Sequence, residues 1–357
     1  CMRIVYVVGT RPNFVKTAPV IAALRARVPD GRHTIVHTGQ HYDRLMSEVF
    51  LEELGVPAPE HMLEVGSGSH AQQTARVMER LEPVLVDERP NLVIVPGDVN
   101  STAAAALTAA KMQIPVAHIE AGLRSFDRTM PEELNRIVTD QLSDQLFIHS
   151  PEANDNLHAE GVPAERIHLV GNTMIDTLVA LEPRFRAAAA ATRLGVEPGG
   201  FVLVTLHRPA LVDGPLLAET VTQLAALARQ LPVVFPVHPR TRAMMETIAA
   251  EHPGLLLCEP LGYLDFLSLL ADSRAVLTDS GGIQEETTYL GIPCFTLRDN
   301  TERPITITAG TNTLMGLDPA AIAGIPAALA ERSAEQQSPP PLWDGHAAER
   351  IAEVVAG

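Results

Sequence analysis

Cysteine is scarce in this chain, basic residues are outnumbered, and no apolar run is long enough to span a membrane. The 357 residues include three cysteines. Cys258 and Cys294 sit in apolar, strand-like runs and read as small buried hydrophobes; Cys1 precedes a Met that reads as a natural start. No Cys or His spacing resembles a zinc site, and nothing suggests a disulfide framework or secretion. With no signal peptide and no membrane-length segment, the expected compartment is the cytoplasm. Lys and Arg number 27 against 43 Asp and Glu, a net charge of −16. Such a surface repels nucleic-acid phosphates and anionic membranes, so neither is an expected partner. Any anion handled here must meet a local cluster of Arg, Lys and His.

What is present is a long, globular, 46% apolar chain, enough for two domains with separate cores. Short β-branched runs alternate with helical patterns. Residues 3–9, 33–39, 92–98, 116–122, 145–150 and 167–172 read as strands, mostly apolar without alternation, as parallel strands covered on both faces should be. After a weaker Ala-rich helical stretch and the loop VEPGG, the pattern restarts at 201–207, 233–238, 255–260, 275–280 and 293–297. No sequence repeat relates the halves, only a repeat of architecture. The expected fold is α/β, with two doubly wound Rossmann-like domains facing across a cleft. The expected boundaries are 1–174 and 175–344, and the helix within 345–357 is expected to pack back on the N-terminal domain.

Unusual residues gather at the ends of these strands, where ligands bind in open α/β sheets. GTRPNFVK (9–16) places Arg11 and Lys16 beside a helix N-terminus, the makings of an anion site. TGQHYDR ends a strand with Gln40 and His41. Asp98 ends LVIVPGD and Glu120 ends VAHIE, and a buried parallel strand is an odd place for a solubilising charge. MPEELNR opens a helix whose Glu132 and Glu133 also suit the positive end of its dipole, so a structural role competes there.

In the second half, TLHRP and PVHPR place His207–Arg208 and His238–Arg240 at two successive strand ends. TDSGGIQEE follows, where Ser280, Gly281 and Gly282 let backbone N–H groups approach an anion. LRDNTERP adds Arg298 and Arg303. GSGSHA (66–71) matches a dinucleotide fingerprint, but HMLEV before it is a poor buried strand and the motif is absent from the first βαβ unit; it reads as a loop over the cleft rather than an NAD site. No cofactor and no metal are called for. The residues describe a diphosphate grip in the second domain and several carboxylates in the first. A nucleotide-sugar suits both, since its ribose hydroxyls suit a carboxylate such as Glu286. A glycosyltransferase, an enzyme remodelling the sugar in place, and a non-catalytic nucleotide-sugar sensor all fit, though a sensor has little use for so many strand-end acids.

GTRPxxxK, QH, GD, EAGLRS, PEExNR, GNT, HR, PVHPR, DSGGIQEE and RDNTERP occur here in one order over residues 3 to 355. In that ordered set the chain resembles the non-hydrolysing UDP-N-acetylglucosamine 2-epimerases. The resemblance implies a fold like that of the two-domain (GT-B) glycosyltransferases, with UDP on the C-terminal domain, and a homodimer. It implies interconversion of UDP-GlcNAc and UDP-ManNAc by elimination of UDP to a 2-acetamidoglucal and re-addition. It makes Asp98, Glu120 and Glu132 the acid/base groups, with Lys16 nearby and His207 acting on the departing diphosphate. It assigns substrate binding to Arg11, Gln40, His41, Arg136, His238, Phe266 (against the uracil), Ser280, Gly281, Gly282, Glu286 and Arg303.

The chain departs from the family pattern at Asn13, where an acid is usual, and at Ala210 and Leu211, where Glu and Asn are usual. Pro209 and Asp43 fall where many bacterial members contact a second UDP-GlcNAc, which implies weak or absent effector activation. The departures leave room for a hydrolysing relative, or for a modified substrate such as a diacetamido-uronic acid sugar.

Overall fold

The short apolar runs become strands buried on both faces. β1 (Arg3–Val8), β2 (Arg32–His37), β3 (His61–Met62), β4 (Leu92–Pro96), β5 (Val116–Ile119), β6 (Gln145–Ile148) and β7 (Ile167–Leu169) form one sheet in the order β3-β2-β1-β4-β5-β6-β7. β8 (Val202–Thr205), β9 (Val233–Pro236), β10 (Leu255–Cys258), β11 (Ala275–Thr278), β12 (Cys294–Thr296) and β13 (Asn312–Leu314) form a second, ordered β10-β9-β8-β11-β12-β13. Neighbours in both are parallel. The computed structural model describes residues 1–40, 44–212, 214–332 and 338–357, with backbone alone at 44–47 and 239–240. His41 and Asp43, and the side chain of Arg240, therefore lie outside the described residues.

Two compact units result, Cys1–Ala180 with Pro341–Gly357, and Leu181–Pro340. In the first, Val5, Val7, Val93 and Val95 pack against Val77, Leu81 and Leu85 of one helix and Ala104, Ala105 and Ala109 of another. The alanines let that second helix lie close on the sheet. In the second unit, Val202, Val204, Val233, Phe235 and Leu277 are covered by Leu224 and Leu227. No helix among the described residues is long and apolar enough to cross a membrane.

Two strands were not expected, the edge strands β3 and β13, of two and three residues. Runs that short carry no readable period. The fingerprint-like GSGSHA leads into the helix His70–Glu88. Ser69 accepts the Gln72 N–H, and the Gln72 side chain accepts the Ser69 N–H, a capping box. Ser69 of this run thus serves helix initiation.

Both sheets reverse strand order beside their first strand, between β1 and β4 and between β8 and β11. Those switch points open a crevice at the carboxyl edge of a parallel sheet. Gly9–Arg11 and Gly97–Asp98 flank the first, and His207 and Ser280 flank the second.

The last helix, Ala347–Ala356, packs on Arg11–Arg27 within the first unit. Asp176 caps it from a distance, accepting the Ala347 and Ala348 N–H groups at 3.1 and 2.7 Å. Those are orphan donors of a helix N-terminus, and no nearer side chain takes them. Replacing Asp176 by Ala should cost about 1–3 kcal/mol of unfolding free energy, measured by urea denaturation; an unchanged midpoint would deny the cap any weight.

Candidate active site

In the first unit the strand-end acids are held, not loose. Glu120 follows β5 with φ at +66°, a left-handed conformation that a non-glycine residue adopts at a cost of about 1–3 kcal/mol. Its carboxylate pairs with Lys16 Nζ at 2.9 Å, and both side chains are buried. Asp98 follows β4 after Gly97, whose φ is +68°. The Gly97 N–H donates to the Ile119 carbonyl at 3.1 Å, and since Pro96 pairs with Ile119, Glu120 lies level with Gly97, one residue short of Asp98, on the neighbouring strand. A Cβ on Gly97 would lie 3.2 Å from Asn13 Nδ2 and 3.5 Å from Lys16 Nζ, so the turn and the helix Arg11–Arg27 are in close contact. Asn13 is buried there and accepts the Gly9 N–H at 3.1 Å.

The helix Pro131–Leu142 organises this edge. Glu132, Arg136 and Asp140 are spaced four residues apart, on one face. Arg136 donates to Asp98 Oδ2 at 2.6 Å and to Glu133 Oε2 at 2.6 Å. Glu133 also accepts from the Ser125 N–H and hydroxyl, each at 2.9 Å, and from the Phe126 N–H. Burial would raise the Glu133 carboxyl, but the Ser125 and Arg136 hydrogen bonds outweigh it and hold the group below the usual range. Of the two neighbouring glutamates, Glu133 thus fastens the loop, while Glu132 is half-buried with no ion pair among the described residues.

Of the other expected ligand residues here, Gln40 is buried and its Oε1 accepts from the Ser101 N–H and hydroxyl, capping the helix Asn100–Lys111. Arg11 is exposed at the first helical position, its guanidinium over the Phe50 ring. Asn172 and Thr173 of GNT line a small cavity with Glu120 and His149, and Asn172 Nδ2 has no partner among the described residues. His149 was not expected there; it sits mid-chain in an ordinary strand-end run, and only the fold brings it to Glu120.

In the second unit, Ser280 is the N-cap of the helix Gly281–Leu290 without spending its side chain on a cap. Ser280, Gly281 and Gly282 are half-buried, and the helix's first N–H groups belong to this turn. A Cβ on Gly281 would run into the Arg303 guanidinium and the Glu302 carboxylate, so only glycine admits Arg303 this close. Arg303 donates to Glu285 Oε1 at 2.6 Å and pairs with Glu302. Glu285 thus serves to anchor Arg303.

Asp279, in the same stretch, carries a role that sequence reading missed. It accepts the backbone N–H groups of His207 at 3.0 Å and Arg208 at 2.8 Å, tying the β8 end to the β11 end. Burial would raise its carboxyl, but hydrogen bonds from the His207 side chain and the Arg208 and His207 N–H groups hold it below its ordinary value. The His207 ring itself stays exposed. His238 is exposed beyond β9, and Phe266 is half-buried in the first turn of the helix Tyr263–Asp272.

Glu286 is buried and its Oε2 has no partner among the described residues. Burial, then the neighbouring Glu285, pushes its carboxyl up to about 8. A buried polar atom left without a partner is costly unless a bound group supplies one.

The sequence model of the UDP-N-acetylglucosamine 2-epimerase family matches residues 23–356. A Methanococcus maripaludis UDP-N-acetylglucosamine 2-epimerase is 38% identical, over 98% of this chain and 97% of its own. A Pseudomonas aeruginosa UDP-2,3-diacetamido-2,3-dideoxy-D-glucuronate 2-epimerase is 44% identical, over 88% of each. The crystal structure of the Methanocaldococcus jannaschii UDP-GlcNAc 2-epimerase in complex with UDP-GlcNAc and UDP superposes with a TM-score of 0.88 at 36% identity, covering 99% of both chains. The fold is that of the α/β UDP-GlcNAc 2-epimerases. This chain belongs to the UDP-N-acetylglucosamine 2-epimerase family.

Glu286 gives a pH signature. Its folded carboxyl binds a proton up to about pH 8, against an ordinary value of 4.5. The native state therefore holds the extra proton in that window, and this group's contribution to stability falls as pH rises through it. Glu286→Gln should gain stability relative to the parent between about pH 4.5 and 8 and show a flat difference above it. Urea midpoints across that range, without nucleotide, test this; a pH-independent difference would contradict it.

Proposed function

We propose that this chain interconverts UDP-N-acetylglucosamine and UDP-N-acetylmannosamine at C2 without hydrolysis. The observation that carries the reading is the pair of acids Asp98 and Glu120 on neighbouring strand ends, fastened by Arg136 and Lys16, in a chain of this family. C2 has no adjacent carbonyl, so its proton is not acidic enough for simple abstraction. Elimination resolves this. A carboxylate takes the C2 proton, the C–H pair becomes the C1–C2 double bond, and the C1–O bond breaks with its electrons on the UDP oxygen. The product is a 2-acetamidoglucal. In return, that oxygen attacks C1 while an acid protonates C2 on the opposite face. Atoms and electrons balance with no net redox change.

Asp98, Glu120 and Glu132 serve as the acid/base groups, with Lys16 setting the charge at Glu120. The charge that develops on the diphosphate is met by Arg11, His207, Arg303 and the amides of Ser280–Gly282. Glu286 takes the ribose hydroxyls, Phe266 lies against the uracil, and Gln40, His41, Arg136 and His238 complete the substrate contacts. The GTRP opening and the PEExNR–DSGGIQEE set support the non-hydrolysing reading. The 44% identical relative named for a diacetamido-glucuronate sugar supports a second substrate reading, a UDP-2,3-diacetamido uronate.

NMR of UDP-GlcNAc with the enzyme in D2O should show both epimers, deuterium at C2 and UDP still attached. Free ManNAc would indicate hydrolysis, and turnover of the diacetamido uronate alone would select the second substrate. Asp98→Asn, Glu120→Gln and Glu132→Gln should each lower turnover by about 100-fold or more while UDP binding, followed by calorimetry, stays within a few-fold. Full activity in all three would sink the assignment. Pro209 and Asp43 further imply hyperbolic kinetics for UDP-ManNAc; a sigmoidal curve abolished by traces of UDP-GlcNAc would contradict them.

A further inference from the structure

His118 lies in β5, wholly buried, two residues before Glu120. Its Nδ1 is 2.6 Å from Asp140 Oδ1, and its Nε2 is 2.7 Å from the Gly97 carbonyl oxygen. Both partners are acceptors. A neutral imidazole has one N–H and one bare nitrogen, so one of these two contacts would set lone pair against lone pair. The remaining escape is a protonated Asp140. Yet Asp140 also accepts from Arg124 Nη1 at 2.7 Å and from the Gly122 N–H at 3.0 Å. Burial would raise its carboxyl, but His118 and Arg124 hold it below its ordinary range. Arg124 in turn donates twice to Glu160, at 2.8 and 2.7 Å. With Arg124 shared between Asp140 and the exposed Glu160, a cation at His118 would balance the buried Asp140 charge, as buried ions require.

We propose that His118 is a positioning residue, an imidazolium held between Asp140 and the Gly97 carbonyl that fixes the turn carrying Asp98. Gly97 sits at φ +68°, immediately before Asp98. One carboxylate on the helix Pro131–Leu142 therefore fixes both acid-bearing strand ends. It holds Gly97 through the His118 ring, and it holds Gly122, two residues past Glu120, directly. Gly122 can accept that role only as glycine, because a Cβ there would approach the Ala153 carbonyl to 2.7 Å at a φ of +78°. Arg136, one turn earlier on the same helix, then pairs with the Asp98 carboxylate itself. The imidazolium touches no substrate. It sets where the Asp98 peptide lies, and a displacement of about 1 Å at a reacting group is worth about 100-fold in rate.

The effect on rate rests on the epimerase reading; the protonation of the ring does not. Two measurements separate them. In the unliganded parent protein, 15N-resolved NMR of the histidine rings should show His118 with hydrogens on both nitrogens, one directed at Asp140 and one at the Gly97 carbonyl. One bare nitrogen would overturn the proposal whatever the enzyme's substrate. His118→Phe keeps a flat ring but donates to neither partner. It should lower kcat by about 100-fold with KM and the UDP dissociation constant within about threefold, provided its circular dichroism and melting show a folded chain. A folded variant with parental kcat would overturn the proposal. A parent that epimerises no UDP-sugar would instead refute the proposed function and leave the ring measurement to decide this one.

Discussion

The buried guanidinium of Arg136 is the contact on which the first unit's candidate site depends. It is 2% exposed and divides its donors between Asp98, on a strand end, and Glu133, which itself fastens the Ser125–Phe126 turn. Taking such charges out of water costs several kcal/mol per ion, and a buried pair is weak evidence of stabilisation for its own sake. Breaking one partner away, however, costs about 3–5 kcal/mol, because the other is left buried and unpaired. An arrangement that is expensive to build and expensive to disturb fixes geometry. Here it fixes an acid at the switch point of a parallel sheet, where open α/β folds bind ligands.

The same logic runs through the second unit with different residues. Asp279 holds the His207 turn by its backbone, and Arg303 is admitted to the start of the helix Gly281–Leu290 only because Gly281 has no side chain. In each unit a charged side chain from one element is spent on the backbone or carboxylate of another, at the strand ends flanking the reversal of order. Glu132 and the His207 ring, by contrast, are left partly or largely exposed, and Glu286 Oε2 is buried with no partner among the described residues.

Much of this was legible from sequence, for identifiable reasons. Parallel strands announce themselves as unalternated apolar runs, and Asp98 and Glu120 stood out because an acid ending such a run has no solubilising purpose. Glycines in DSGG mark close approach of backbone to another group. What the sequence could not show is pairing across distance. His118 and Asp140 are ordinary residues until the topology puts β5 against the helix Pro131–Leu142. Glu132 and Glu133 are indistinguishable in PEELNR, and only the helix phase separates the fastened acid from the one left open. Asp279 looked like part of a phosphate loop, yet its carboxylate serves the neighbouring strand. β3 and β13 escaped because two or three residues carry no period.

The proposed epimerisation requires the bond from C1 to UDP to break and be remade during each inversion at C2. UDP-GlcNAc carrying 18O in the oxygen that bridges C1 and the β-phosphate tests it directly. If UDP departs and returns, its β-phosphate rotates between the two events, and 31P NMR will find the label spread into non-bridging positions as epimers form. Epimerisation with the 18O retained wholly in the bridge would contradict a departing UDP that is free to turn before it returns.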